Sequence, residues 1–179
     1  LLVPGETAAP GSATGKTGTT ATLPVDSAFD VTVRAVDANW NPVNGITDVI
    51  GITSSDAIAI LPANAALVSG TKTLSVTFRT VGTQTLTASN ITDGTKPANT
   101  SPAITVQPAA FMKLQLLLPG ETAAPGTATG KTGTPLPQAA GTAFTVTVNA
   151  VDANWNLFNT VVDTVRITSS DANAVLPAN

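Results

Sequence analysis

The sequence predicts an all-β protein, an antiparallel β-sandwich present in tandem, on three observations. Residues 29–41 return as residues 144–156, and the correspondence runs without a gap from 1–64 to 116–179, with 42 of the 64 pairs identical. The resulting period of 115 residues suits one sandwich domain of roughly 100 residues. Each period holds short stretches in which apolar and polar residues alternate between turn residues, and none carries the 3.6-residue period of a helix. The expected division is a first repeat over 1–110, its opening strand cut short, and the first three strands of a second over 111–179. Such repeats are placed side by side in long chains, so the segment reads as an excerpt from a longer array.

The opening strand is seen whole only in the second copy. There Met112, Leu114, Leu116 and Leu118 share one face while Lys113 and Gln115 take the other, the alternation of a half-buried strand. Residues 6–26 are rich in Gly, Pro, Thr and Ala with no apolar period and read as a long surface loop. Its first part recurs at 121–134, whereas residues 20–27 differ from 135–142 at every position. A fixed beginning with a variable remainder implies that the beginning packs or caps something.

Residues 29–36 form the next strand. Phe29, Val31, Val33 and Ala35 are unchanged in the second copy, whereas Asp30 and Arg34 become Thr145 and Asn149. Substitutions that spare one face mark that face as core. Residues 48–53 follow, with Ile50 and Ile52 inward and Gly51, the counterpart of Arg166, facing water. Residues 57–62 form a short edge segment ended by Pro62. Strands over 72–80 (Leu74, Val76, Phe78 inward), 83–89 (Leu86, Ala88) and 103–107 (Ile104, Val106) complete the set. The region 57–107 occurs once, so Phe144, Val146, Val148, Val165 and Ile167 lack a covering sheet within the segment. Such faces do not stay exposed. Downstream sequence is expected to supply the cover, with strand exchange in a polymer as the alternative.

Composition excludes several functions. Charged residues are 11% of the chain against roughly 25% in ordinary domains, and 31 threonines supply much of the polar surface. A net charge of −3 and a pI near 4.6 leave no basic patch to displace counterions from nucleic acid. There is no Cys and no His, hence no disulfide, no thiolate chemistry and no imidazole base or metal ligand. No apolar run reaches the ~20 residues that a membrane span needs. Enzymatic work would fall to carboxylate pairs, but the aspartates sit where turns want them. No catalytic residue and no cofactor are expected.

The run Val33-x-Ala35-x-Asp37-x-Asn39-x-Asn41-Pro42-Val43-x-Gly45, with residues 70–76 and 82–88, resembles bacterial immunoglobulin-like (Big) repeats over the whole period. The resemblance implies an immunoglobulin-like sandwich, of the kind found in adhesins, surface-layer proteins and stalk- or filament-like assemblies outside the cell. The chain departs from the common pattern by carrying Trp40 and Trp155 where a glycine is frequent, and by its long loop over 6–26.

Asp37, Asn39, Asn41 and Asp48, repeated as Asp152, Asn154, Asn156 and Asp163, have a spacing that suggests a calcium loop. Position six is Pro42 or Leu157 rather than Gly, and position twelve is Asp rather than Glu. Asx turns closing the loop are therefore preferred to calcium. Trp40 and Trp155 are candidates for contact with a sugar or a neighbouring domain, packing being preferred. Asn90 and Asn99 begin glycosylation sequons. Gly11-x-x-x-Gly15-Lys16-Thr17 is one residue short of a phosphate-binding loop and no helix follows.

The expectation is an extracellular or cell-surface structural protein, a segment of a stalk, fibre or sheath, partnered by neighbouring repeats or by copies of itself. The alternative is an adhesin binding a glycan or protein through the loops around Trp40 and Lys16.

Overall fold

The computed structural model describes residues 1–178, and none of them is helical. Fifteen short strands follow in order: β1 (Glu6–Ala8), β2 (Lys16–Gly18), β3 (Leu23–Pro24), β4 (Ala28–Arg34), β5 (Val49–Ser54), β6 (Ala65–Ala66), β7 (Thr71–Thr77) and β8 (Gly82–Gln84). Then come β9 (Leu86–Asn90), β10 (Asn99–Thr100), β11 (Ile104–Gln107), β12 (Lys113–Leu117), β13 (Glu121–Ala123), β14 (Lys131–Gly133) and β15 (Thr147–Val151).

The first 110 residues make two layers. In one, β4 pairs antiparallel with β7 from Ala28↔Thr77 to Arg34↔Thr71, and single bridges add Leu2 to Thr32 and Ile60 to Thr77 at the two edges. The other is built on residues 82–90: β9 lies between β5 and β10, β8 beside β11, with β6 and β3 outermost. β3 runs parallel to β11.

The alternation along each strand decides what lies between the layers. Val31 and Val33 from β4, and Leu74 and Val76 from β7, form one buried cluster with Ile50, Ile52, Leu86, Ala88, Ile104 and Val106. Phe78, just past β7, is wholly enclosed and packs against Phe29 with ring centroids 5.1 Å apart. Asp30 and Arg34 point to water, as their substitution between the copies indicates. The arrangement is consistent with a β-sandwich.

Four expectations are corrected. Residues 6–26 are not a plain loop: β1 and β2 form an antiparallel hairpin, Glu6↔Gly18 to Ala8↔Lys16, and β3 then joins the opposite layer. Gly51 does not face water, because Asn64 and Ile91 lie over it. In the second copy, Gln115 is buried while Leu114 and Leu116 are exposed. The Gln115 amide donates to Gly130 O at 2.7 Å and its oxygen accepts from Asn149 at 2.9 Å, so the loop at the hairpin β13–β14 covers the polar face, while the apolar one stays about half open among the described residues. Residues 163–168, with Val165 and Ile167, form no strand. β5 owes its ladder to β6 and β9 on its two sides, and 163–168 have no such neighbours.

The rest of the second copy keeps its local order. β12 pairs antiparallel with β15, Lys113↔Val151 to Leu117↔Thr147, and β13–β14 repeat the hairpin of β1–β2 residue for residue. Phe144 stands 51% exposed.

Candidate functional site

The chemistry-bearing residues gather in the loop that follows β4 and in its copy after β15. Asp37 Oδ1 accepts the N–H groups of Asn39 and Asn41 at 2.8 and 2.9 Å, and Oδ2 accepts the Asn41 amide at 3.0 Å. These are Asx-turn bonds, made because a short carboxylate side chain reaches its own loop. The Asn41 side-chain amide, with the backbone N–H groups of Asn41 and Asn39, holds the Asp37 carboxyl below its ordinary value. Asp48 is engaged elsewhere, its Oδ2 taking the Asn90 amide at 2.7 Å. Asp163 is exposed. No group of three acidic side chains suited to a metal occurs among the described residues. Of the two sequon asparagines, Asn90 is thus bonded through its side-chain nitrogen, and Asn99 lies half-buried in β10.

Turning the loop so tightly puts Trp40 at φ 65° and Trp155 at φ 69°, the left-handed region that glycine occupies without penalty. That is why a glycine is natural there. The indole compensates by packing. A Cβ on Gly15 would run into the ring of Trp40, and one on Gly130 into the ring of Trp155. The hairpin tip is therefore a shelf for the indole, and Gly15 is needed twice over, for its own φ of +71° and for the ring. Gly15→Ala is expected to cost about 2 kcal/mol through strain and overpacking. Urea denaturation would measure the loss, and the emission of Trp40 should shift to the red.

The hairpin is fastened from below. Glu6 Oε2 accepts Val3 N–H at 3.1 Å and the Lys16 ammonium at 3.0 Å, and that ammonium also reaches Leu1 O at 3.3 Å. Glu121, Lys131, Leu118 and Leu116 repeat the set. The Lys131 hydrogen bond and the Leu118 N–H keep the Glu121 carboxyl below its ordinary value. Lys16, expected to flank a ligand-binding surface, is spent on this pair. Sequence reasoning missed the role of Glu6, although it and Lys16 recur together at the same spacing in an otherwise charge-poor stretch.

The second loop has the same internal bonds but different surroundings. Asp152 and Asn156 are 0% and 2% exposed, whereas Asp37 and Asn41 are exposed. Asp152 Oδ2 accepts Ala109 N–H at 3.3 Å. Asn154 accepts from the Arg79 guanidinium at 3.3 Å and donates to Asp26. Arg79 Nε lies 3.3 Å from Asp26 Oδ1 as a charge contact without hydrogen-bond alignment. Lys113 donates to Ala153 O at 2.8 Å and sits 3.5 Å over the Trp155 ring. The structure thus seats the second loop on the end of the first two-layer unit. Nothing in the sequence marks Asp26 or Arg79 for this, because they lie far from residue 154 along the chain.

Beside Trp40 a cavity of about 40 Å³ opens between the hairpin tip and the start of the chain. No family model, curated protein or solved structure matches the chain.

Proposed function

We propose that this chain is a segment of a structural protein outside the cell, a stalk, fibre or sheath assembled from immunoglobulin-like sandwich repeats similar to bacterial Big repeats. The observation that carries the reading is the seated loop. A sequence that returns after 115 residues presents its second copy to the first through hydrogen bonds of partly buried polar groups, with Asp152 enclosed among them, rather than through a bare linker. Charge-poor, threonine-rich surfaces and the lack of His and Cys suit a scaffold more than a catalyst. No helix among the described residues is long and apolar enough to cross a membrane.

The adhesin alternative asks for a free aromatic and a free cation near the loop tips. Lys16 is paired with Glu6, and Trp40 rests one side of its indole on Gly15, so the cation is already engaged and the aromatic is engaged on one side. Electron microscopy of the protein in its native setting should show fibres or sheets with a regular repeat. Glycan-array binding that vanishes in Trp40→Ala, with the fold intact and no ordered assembly seen, would replace this reading by the adhesin one.

A further inference from the structure

The two copies of the pentapeptide Asp-Ala-Asn-Trp-Asn, 37–41 and 152–156, are the same object in two situations. Inside each loop the bonds match, down to the N–H of a hairpin glycine given to the middle asparagine's carbonyl: Gly11 to Asn39 at 2.8 Å, Gly126 to Asn154 at 2.9 Å. Outside the loop they diverge. Asp152 Oδ2 takes an external N–H, from Ala109; Asn154 takes Arg79 and gives to Asp26; Ala153 O and the Trp155 ring take the Lys113 ammonium. The equivalent groups of Asp37, Asn39, Ala38 and Trp40 make none of these bonds among the described residues, and Asp37, Ala38 and Asn39 are exposed. An exposed surface that keeps the shape and polarity of a seated one points to the same kind of occupant.

We infer that the loop of residues 37–41 is a docking surface for the end of another repeat of this kind. That end presents a guanidinium–carboxylate pair in the manner of Arg79 and Asp26. The segment leading from it to Leu1 supplies a backbone N–H to Asp37 and an ammonium to Ala38 O and the Trp40 face. The polarity is complementary throughout. The loop offers a carboxylate oxygen, an amide, a carbonyl and a π-face, and the partner brings donors and cations with one carboxylate for the amide N–H. The contact is heterologous, one end of a repeat against the opposite end of the next, so the same contact can recur from repeat to repeat along a chain. This inference rests on the array reading.

The test adds one copy ahead of the chain, residues 1–115 joined to residue 1, so that residues 109–115 lead into Leu1 as they lead into Leu116. In the 179-residue chain the Asn154 and Asn156 amides should exchange with deuterium more slowly than those of Asn39 and Asn41. In the extended chain the Asn39 and Asn41 amides should slow by about tenfold or more, as burial under a partner requires, and Arg79→Ala in the added copy should reverse this. Unchanged exchange at Asn39 and Asn41, with the amides of Val31 and Val76 still protected, overturns the inference. A second measurement needs no extension: Arg79→Ala in the 179-residue chain should release Asn154 and Asn156 while sparing Val31 and Val76. Retained protection there also overturns it. Either failure leaves repeats hinged as loose beads, with the array reading intact; absence of any assembly in microscopy, with docking observed, would remove the array reading instead.

Discussion

Phe78→Ala is expected to remove about 3–5 kcal/mol from the stability of the first two-layer unit. The ring is 0% exposed. It lies just past the end of β7, tilted 41° against Phe29, in the same buried cluster as Leu86 and Ile104 of the facing layer. Truncation loses the transfer free energy of the ring and leaves a void that the two layers cannot both collapse into. Urea denaturation should show a lowered midpoint with the slope preserved. Phe144→Ala supplies the contrast. Phe144 is the counterpart of Phe29 but stands in solvent in the second copy, so its removal should cost no more than about 0.5 kcal/mol. Equal losses from the two substitutions would contradict the placement of the core.

Asp56→Ala should be nearly as damaging, at about 3–4 kcal/mol. This carboxylate is only 4% exposed and gathers the turn after β7 onto the turn after β5. Oδ2 accepts Arg79 N–H at 2.7 Å and Thr80 N–H at 2.9 Å; Oδ1 accepts the Thr80 hydroxyl at 2.8 Å and Ile58 N–H at 3.1 Å. Removing it orphans three N–H donors and a hydroxyl in a partly buried setting. Burial acts to raise its pKa, but the hydrogen bonds from Arg79, Thr80 and Ile58 outweigh burial, and the carboxyl lies below its ordinary value of 3.8. The sign follows from linkage: a depressed carboxyl contributes stability in full above the unfolded value, and that contribution is lost as pH falls through the folded one. Acid titration of wild type should therefore lose stability below pH 3.8, and Asp56→Asn should lose less over the same range. Among the described residues the side chain of Asp171, the second copy's equivalent, keeps only the local bond from Asn173 N–H, so Asp171→Ala should be close to neutral.

The core was legible because a period of two needs no partner to be recognised. Val31 and Val33 against Asp30 and Arg34, or Ile104 and Val106 against Thr105 and Gln107, announce the buried side from sequence alone. The hairpin over 6–18 was not legible, because no apolar alternation holds it. It stands on Glu6 bonded to Lys16, and on an indole from residue 40 lying against Gly15. Gln115 misled for a related reason: alternation says which residues share a face, whereas which face is covered depends on what the rest of the chain brings. Of the loop residues read as Asx turns, Asp37 makes the expected bonds, accepting the N–H groups of Asn39 and Asn41 over two and four positions. The burial of their second copy was invisible, since it depends on Arg79, 75 positions before Asn154. Short-range chemistry is written in the sequence; its surroundings are assembled by the fold.

The parallel pairing of β3 with β11 has a mechanical consequence. Val106↔Leu23 and Gln107↔Pro24, with Val25 N–H on Gln107 O at 2.8 Å, tie a segment near the beginning of the unit to one near its exit. Tension applied at the two ends drags these segments in opposite directions along their own length. Their hydrogen bonds are then strained together in shear, where an antiparallel hairpin pulled from its open end would unzip one rung at a time. A tether strung from such units would resist stretching at the junction of β3 with β11.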